Sequence, residues 1–308
     1  MNDGRQTLAV AICTYNRNEA LTTLLGALRH CVAEIASEVR VGVVIVDDSA
    51  DGKARTVAEQ FSGQFELGVA YRISGRQNIS LARNLAISTA SEMAEWIAMT
   101  DDDCEPDREW LKQLLDVQRS SGADAVTGPM IRRVPEGSPK WLTDEPFLML
   151  GVEPPEPGAE LTVAATNNSL ISAAWLRNHP AIRFRPDLGI IGGEDMVFYN
   201  AAYKQGLRIR YAARAVVHEN ETAARATLAY QLRLFFWLGN NAYITNVRNG
   251  VSPGRMLLNG ANSLQRALVR PFARLLCGER PQLRYCLASV LKAAGTMLAY
   301  FGLRVPHR

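Results

Sequence analysis

Three consecutive aspartates, Asp101-Asp102-Asp103, come just after the apolar run Trp96-Ile97-Ala98-Met99. Carboxylates this close repel and raise each other's pKa unless a cation or hydrogen-bond donors compensate. If the chain stays extended, Asp101 and Asp103 project to one side and Asp102 to the other. Two same-side carboxylates form a hard-oxygen clamp suited to Mg2+ or Mn2+, ions that bind through one or two carboxylates plus substrate phosphate oxygens. A diphosphate ligand is therefore implied. The plainer alternative is a capping turn, with Asp107 capping a helix that carries Trp110, Leu111, Leu114 and Leu115. A second acidic pair, Asp47-Asp48, ends the β-branched run Val41–Val46 and reads as a helix cap or as an acceptor for a nucleobase N–H or ribose hydroxyl. Arg83 and Asn84, early in a helical pattern, could reach a phosphate. Glu194-Asp195 follows Gly192-Gly193, where the backbone can approach a ligand closely. The helix macrodipole favours an acid there in any case, but a carboxylate presented at a cleft wall is a candidate general base.

The elements needed to hold these groups alternate. Leu8–Cys13, Val41–Val46, Val69–Ile73 and Ala94–Met99 read as strands; apolar residues at helical spacing fill the segments between them, as at Leu21, Leu24, Leu25, Leu28 and Val32. Strand, helix, strand, helix at this spacing implies right-handed crossovers and a doubly wound, mostly parallel α/β sheet flanked by helices. Ligands of such sheets bind at the carboxyl ends of the strands. Thr14-Tyr15-Asn16, Asp47-Asp48 and the aspartate triplet all fall there. Residues 134–158 are rich in proline, with Trp141, Phe147 and Met149 between, and read as a surface loop or a mobile lid. A strand-like run, Leu161–Ile171, follows. A helix then starts at Glu194-Asp195 and stops at Gly206.

Several classes are excluded. The chain has no G-x-G-x-x-G after its first strand and no G-x-x-x-x-G-K-[ST], which argues against a dinucleotide enzyme and a P-loop NTPase. Five scattered cysteines without a C-x-x-C pair argue against a disulfide scaffold or zinc site and for a reducing compartment. No secretory signal is visible at the N-terminus. The formal net charge of +3 conceals a split: residues 225–308 hold twelve Lys and Arg against one acid, Glu279, and residues 1–224 hold 22 against 30. A basic segment rich in Leu, Ala and Phe points to anionic surfaces, lipid headgroups ahead of nucleic acid, for which no binding signature is present.

Taken together, A-I-C-T-Y-N-R (11–17), V-I-V-D-D-S (44–49), N-I-S-L-A-R-N (78–84), M-T-D-D-D-C-E-P (99–106) and G-G-E-D (192–195) resemble a family 2 glycosyltransferase of the GT-A fold. The likeness is to bacterial exopolysaccharide-assembly enzymes of the cell envelope, the succinoglycan type included, and covers roughly residues 7–225. It implies that Thr14, Tyr15 and Asp47 hold the uracil and ribose of a nucleotide sugar and that Arg83 lies near the diphosphate. Asp101 and Asp103 would match the D-x-D element, Asp103 as the direct ligand of Mg2+ or Mn2+, although the triplet leaves the register open. Asp195 would match the catalytic base, with Glu194 beside the acceptor. His218 resembles a histidine that some members place near the metal; a plain loop residue is the alternative. The resemblance further implies inverting transfer of a sugar to a hydroxyl of a glycan or lipid-linked acceptor. The processive Q-x-x-R-W element is matched only in part by Gln231-Leu232-Arg233-Leu234-Phe235, which favours transfer of one sugar per encounter. A sugar nucleotidyltransferase would want a glycine-rich, lysine-bearing loop where Thr14-Tyr15-Asn16-Arg17 stands. A non-catalytic nucleotide-sugar-binding protein is the other rival.

This organisation predicts a catalytic domain over 1–225, its nucleotide-sugar half at about 1–130 and its acceptor half at about 131–225. A basic helical region over 226–308 follows. There, residues 227–245 are too apolar all round for an exposed helix. Arg266, Arg270 and Arg274 recur every fourth residue, with Pro271 expected to kink the helix. Leu283–Leu303 is apolar except for Arg284 and Lys292, and a central lysine is costly in a spanning helix. Interfacial helices on an anionic membrane are expected, which would place the protein on the cytoplasmic side, peripheral at the inner face of the cell membrane. A packed helical subdomain or a homodimer interface is the alternative.

Overall fold

The computed structural model describes residues 4–149 and 153–306. In chain order the elements are β1 (Gln6–Thr14), α1 (Asn18–Ala33), β2 (Val39–Asp47), α2 (Arg55–Gln60), β3 (Val69–Ile73), α3 (Ile79–Met93), β4 (Trp96–Asp101), β5 (Cys104–Pro106), α4 (Trp110–Ser121), β6 (Ala125–Thr127) and β7 (Met130–Arg133). They continue with α5 (Trp141–Asp144), β8 (Glu160–Leu161), β9 (Ser169–Ser172), α6 (Ala173–Asn178), α7 (Glu194–Lys204), β10 (Ile209–Tyr211), β11 (Val217–Asn220), α8 (Leu228–Arg248), α9 (Pro253–Leu276) and α10 (Leu283–Tyr300).

The chain divides into two compact units. The first comprises the described part of 1–131 with 154–189 and 194–220; the second comprises 132–153, 190–193 and 221–308. The second unit therefore takes in 132–153, 190–193 and 221–225, which the sequence reading placed in the catalytic part.

The first unit is built on a sheet in the order β3-β2-β1-β4-β9-β6-β10-β8. β3, β2, β1 and β4 run parallel, as do β6 and β10, while β9 and β8 pair antiparallel with their neighbours. Strand alternation feeds two cores. Leu8, Val10 and Ile12 of β1 pack with α1 and α4; Ala9 and Ala11 face the other way, into a cluster shared with Ala82, Ala86 and Ala90 of α3 and Phe198, Tyr199 and Ala202 of α7. This is the expected α/β architecture, helices on both faces of a mostly parallel sheet. The expected strand over Leu161–Ile171 is instead two short strands separated by a turn. The cause lies in Asn168, which is fully buried. Its Oδ1 accepts from Trp110 Nε1 at 2.8 Å, and its Nδ2 donates to the carbonyls of Pro129 (2.9 Å) and Ala215 (2.7 Å). A buried amide satisfied on three sides fixes a turn rather than a straight ladder.

In the second unit, 134–149 is a surface segment pinned into a core, with Glu136, Gly137, Pro139, Lys140 and Met149 exposed. Leu142 and Phe147 are fully buried with Phe235 of α8 and Tyr285 and Ala288 of α10, and Phe147 meets Trp141, Phe235 and Tyr285 edge to face. The part of that loop at residues 150–152 lies outside the described residues. α10 packs along α8 so closely that a Cβ added at Gly239 would fall 1.8 Å from the Lys292 carbonyl oxygen, and one at Gly295 2.1 Å from that of Phe236. One face of Leu283–Leu303 is thus packed, as in the helical-subdomain alternative, and burial lowers the Lys292 pKa, while Leu283, Leu287, Leu298, Tyr300, Phe301 and Leu303 remain exposed. α9 runs on through Pro271 without a break.

Candidate active site

β1, β2 and β4 end side by side, pairing Thr14 with Asp47 and Cys13 with Asp101. Three acidic or hydroxyl-bearing strand ends thus share one edge of the first unit. The chain turns at Asp102-Asp103 instead of staying extended, so the simple same-side alternation of the triplet does not apply. Asp102 turns inward, with its side chain 6% exposed. Thr14 Oγ1 donates to its Oδ2 at 2.8 Å, and Arg17 donates from Nη1 to Asp102 Oδ1 (3.0 Å) and to Asp103 Oδ2 (2.7 Å). Burial pushes the Asp102 carboxyl up to about 6; Arg17 opposes the shift and Asp103 adds to it. Asp102 is thus the inner brace of the turn. It leaves Asp101 and Asp103 as the more exposed members of the triplet, at 34% and 17% of their side chains.

Arg83 projects from the first turns of α3 to the same strand edge. It donates to Asp101 Oδ1 at 2.9 Å from Nη2 and to Glu194 Oε1 from Nη1. Burial works against the charge on Arg83, but Asp101 and Glu194 hold it firmly protonated. Glu194, the first residue of α7, is buried. Desolvation pushes its carboxyl up to about 7 against the pull of Arg83. Asp195 follows. Its Oδ1 accepts from the Met196 N–H at 2.7 Å, and burial raises its pKa while the Arg83 charge opposes the shift. Arg83 therefore joins the aspartate triplet to the Glu194-Asp195 pair, although the two are far apart in sequence.

The Asp47-Asp48 pair divides its work. Asp47 accepts from the Ser49 N–H and hydroxyl, from the Ala54 N–H at 3.1 Å and from the Tyr71 hydroxyl at 2.8 Å, so both its oxygens are taken within its own loop. Asp48 accepts from the Arg76 N–H at 3.2 Å through Oδ1, while its buried Oδ2 has no partner among the described residues. Thr14 is equally committed: its hydroxyl goes to Asp102 and the residue is 3% exposed. Tyr15 is half-buried in the bend after β1.

Other expected residues lie elsewhere. Asn84 donates to the Phe184 carbonyl at 2.7 Å and accepts from its N–H at 2.9 Å, so it fastens a loop and does not reach a phosphate. His218, on β11, takes Asp107 Oδ1 at 2.9 Å through Nε2. Asp107 is consequently a partner of His218, and its side chain does not cap α4. Among the described residues, no group of three or more His, Cys, Asp and Glu side chains is gathered as a metal cage. Sequence reasoning quoted Arg17 without a role and chose Asp47 over Asp48. The first had a signal in principle, a cation three residues from Thr14; the second had none, because which of two adjacent carboxylates is saturated depends on the loop's path.

Comparison with known proteins bears directly on this arrangement. The model of the family "Glycosyl transferase family 2" matches residues 9–179, more than half of the chain. The chain belongs to this family. Family 2 membership makes it a glycosyltransferase. It is 30% identical over 260 residues to the succinoglycan biosynthesis protein ExoM of Rhizobium meliloti, covering 84% of this chain and 77% of that protein. Among solved structures it is similar to S. aureus TarS residues 1–349 in complex with UDP, with a TM-score of 0.54, 16% identity, and coverage of 96% and 91% of the two chains. It is also similar to GalNAc-T7 with UDP, GalNAc and Mn2+, with a TM-score of 0.55, 14% identity, and coverage of 78% and 51%. At those identities the structural likeness establishes the shared GT-A fold.

Proposed function

We propose that this family 2 enzyme is an inverting, metal-dependent glycosyltransferase. It would move one sugar from a nucleoside diphosphate sugar, with uridine as the base, to a hydroxyl of a glycan or lipid-linked acceptor in exopolysaccharide assembly at the inner face of the cell membrane. The observation that carries this reading is the Arg83 bridge, since one guanidinium bonded to both Asp101 and Glu194 sets the base-bearing start of α7 against the strand ends. The relatives named above support the donor class and the polysaccharide setting.

In this reading Asp48 accepts from the nucleobase or ribose through Oδ2, the buried oxygen left without a partner among the described residues, and Tyr15 lines the same strand end. Thr14 and Asp47 position the loops that carry them, which narrows the roles that the family likeness gave those two residues. Arg83 faces the diphosphate. Asp195 takes the proton of the acceptor hydroxyl as its oxygen attacks the anomeric carbon. The bond to the diphosphate breaks in the same displacement, and the anomeric centre inverts. A carboxyl raised by burial is a stronger base than one in water. Glu194 stands beside it, held by Arg83.

Asp101 and Asp103 fit a divalent ion as hard-oxygen donors. Two carboxylates completed by substrate phosphates are the usual way in which Mg2+ or Mn2+ is held. Bound there, the ion would neutralise charge on the departing diphosphate. Arg17 now occupies Asp103, and His218 could join only by leaving Asp107. The test is release of nucleoside diphosphate across a panel of donors, with and without Mn2+. Mn2+-dependent release with one donor supports the reading; pyrophosphate release, or release indifferent to chelator, overturns the transfer chemistry or the metal requirement respectively.

A further inference from the structure

α9 carries an apolar stripe left open to solvent. Its buried positions, Met256, Gly260 and Ala267, share one face. At helical spacing, Leu258, Leu268, Val269, Phe272, Leu275 and Leu276 gather on a different side, each between 54% and 90% exposed. Arg255, Arg266 and Arg270, all exposed, run along one edge of that stripe. Single exposed apolar residues are ordinary on a soluble surface, but five gathered within Leu268–Leu276, with Leu258 further along the same side, mark an interaction surface.

We infer that this stripe is a membrane-docking surface for a bilayer rich in anionic phospholipid, with α9 lying in the interfacial plane. Charge complementarity selects this occupant. Residues 225–308 hold twelve Lys and Arg and one acid, Glu279, and Glu279 is already paired with Arg274 at 2.9 Å. A second copy seated on the stripe would bring another arginine edge with no acid of this region to answer it. Phospholipid phosphates supply that countercharge along the whole helix, while the six apolar side chains enter the acyl boundary. Among the described residues no helix is long and apolar enough to cross a membrane, so an in-plane helix is the form such attachment takes. α10 packs one face on its own unit and exposes Leu283, Leu287 and Leu298 on another, whereas α9 carries the arginine edge beside its apolar stripe. The inference extends the proposed function by naming the surface that would bring the enzyme to a lipid-borne acceptor, and it rests on that reading for its purpose alone.

The test is co-sedimentation of the full chain with phosphatidylcholine vesicles that contain phosphatidylglycerol as the anionic lipid or contain none. Donor hydrolysis in solution is read separately on the same preparations. The wild type is expected to bind the anionic vesicles, to release in high salt and to bind neutral ones weakly. Phe272→Glu with Leu276→Glu should abolish binding, and Arg255→Glu with Arg266→Glu should weaken it at least tenfold, at about fivefold per lost cation. Both variants should keep wild-type donor hydrolysis, since neither touches the strand-end site. Absence of wild-type binding to either vesicle overturns the inference, as does equal binding by Phe272→Glu/Leu276→Glu. A wild-type dimer in light scattering that this variant disperses, without vesicle binding, makes the stripe a self-association face instead. None of these outcomes bears on whether sugar transfer occurs.

Discussion

Asp47 accepts four hydrogen bonds from its own loop and from Tyr71, so Asp47→Ala strands buried donors and should cost stability, about 1–3 kcal/mol for an unsatisfied buried group. Asp48→Asn keeps Oδ1 for the Arg76 N–H while removing the acceptor at Oδ2, which is unpartnered within the described residues. It should leave the melting temperature nearly unchanged while weakening UDP binding roughly tenfold or more, as for a lost charge-assisted hydrogen bond. Thermal melts and calorimetric titration of UDP on the two variants separate the roles, and the reverse pattern would return the nucleoside contact to Asp47. Glu194 gives a pH signature. Its carboxyl sits at about 7 in the folded protein against an ordinary 4.5, so the folded state holds more protons than the unfolded one across that window. Stability contributed by this group must fall as pH rises from about 4.5 toward 7. Denaturant melts across that range, without metal or donor, should show a decline that Glu194→Gln flattens by up to ~1.4 kcal/mol per pH unit.

Among the helices, α8 and α10 approach closely where Gly239 faces the Lys292 carbonyl and Gly295 the Phe236 carbonyl. The Thr296 hydroxyl also donates to the Gly239 carbonyl at 3.0 Å. Backbones this near leave no room for a methyl group, so Gly239→Ala should force the helices apart and destabilise by ~1–3 kcal/mol, as overpacking does; an unchanged denaturation midpoint would show that the pair tolerates separation. These helices also show what the sequence disclosed. The apolar run over 227–245 was legible as a buried helix because it has no polar face. The packed face of Leu283–Leu303 was not legible, because its contact with α8 rests on glycine, alanine and threonine, which a hydropathy pattern cannot tell from a weakly apolar exposed face. The parallel strands β1 to β4 were legible from β-branched runs punctuated by helical spacing. The turn at Thr166–Asn168 was not, since it depends on Asn168 finding Trp110, Pro129 and Ala215, three partners from other elements.

At the scale of the whole molecule, the acidic strand ends and the basic helical segment lie in different units, and each has its own chemistry. Arg83 is where the separate acidic motifs become one site. Arg83→Met should leave Asp101 and Glu194 without their shared cation and, as for a broken buried ion pair, cost ~3–5 kcal/mol, visible as a lowered denaturation midpoint. Its loss should also abolish transfer. The site's identity as a reaction centre turns on Asp195. The direct measurement is single-turnover transfer by Asp195→Asn beside its calorimetric affinity for the donor. Donor affinity should stay within about twofold of wild type while the transfer rate falls ~10²–10⁴-fold, as for a lost positioned base. Transfer at near wild-type rate, with donor binding intact, would contradict the assignment of Asp195 as the base.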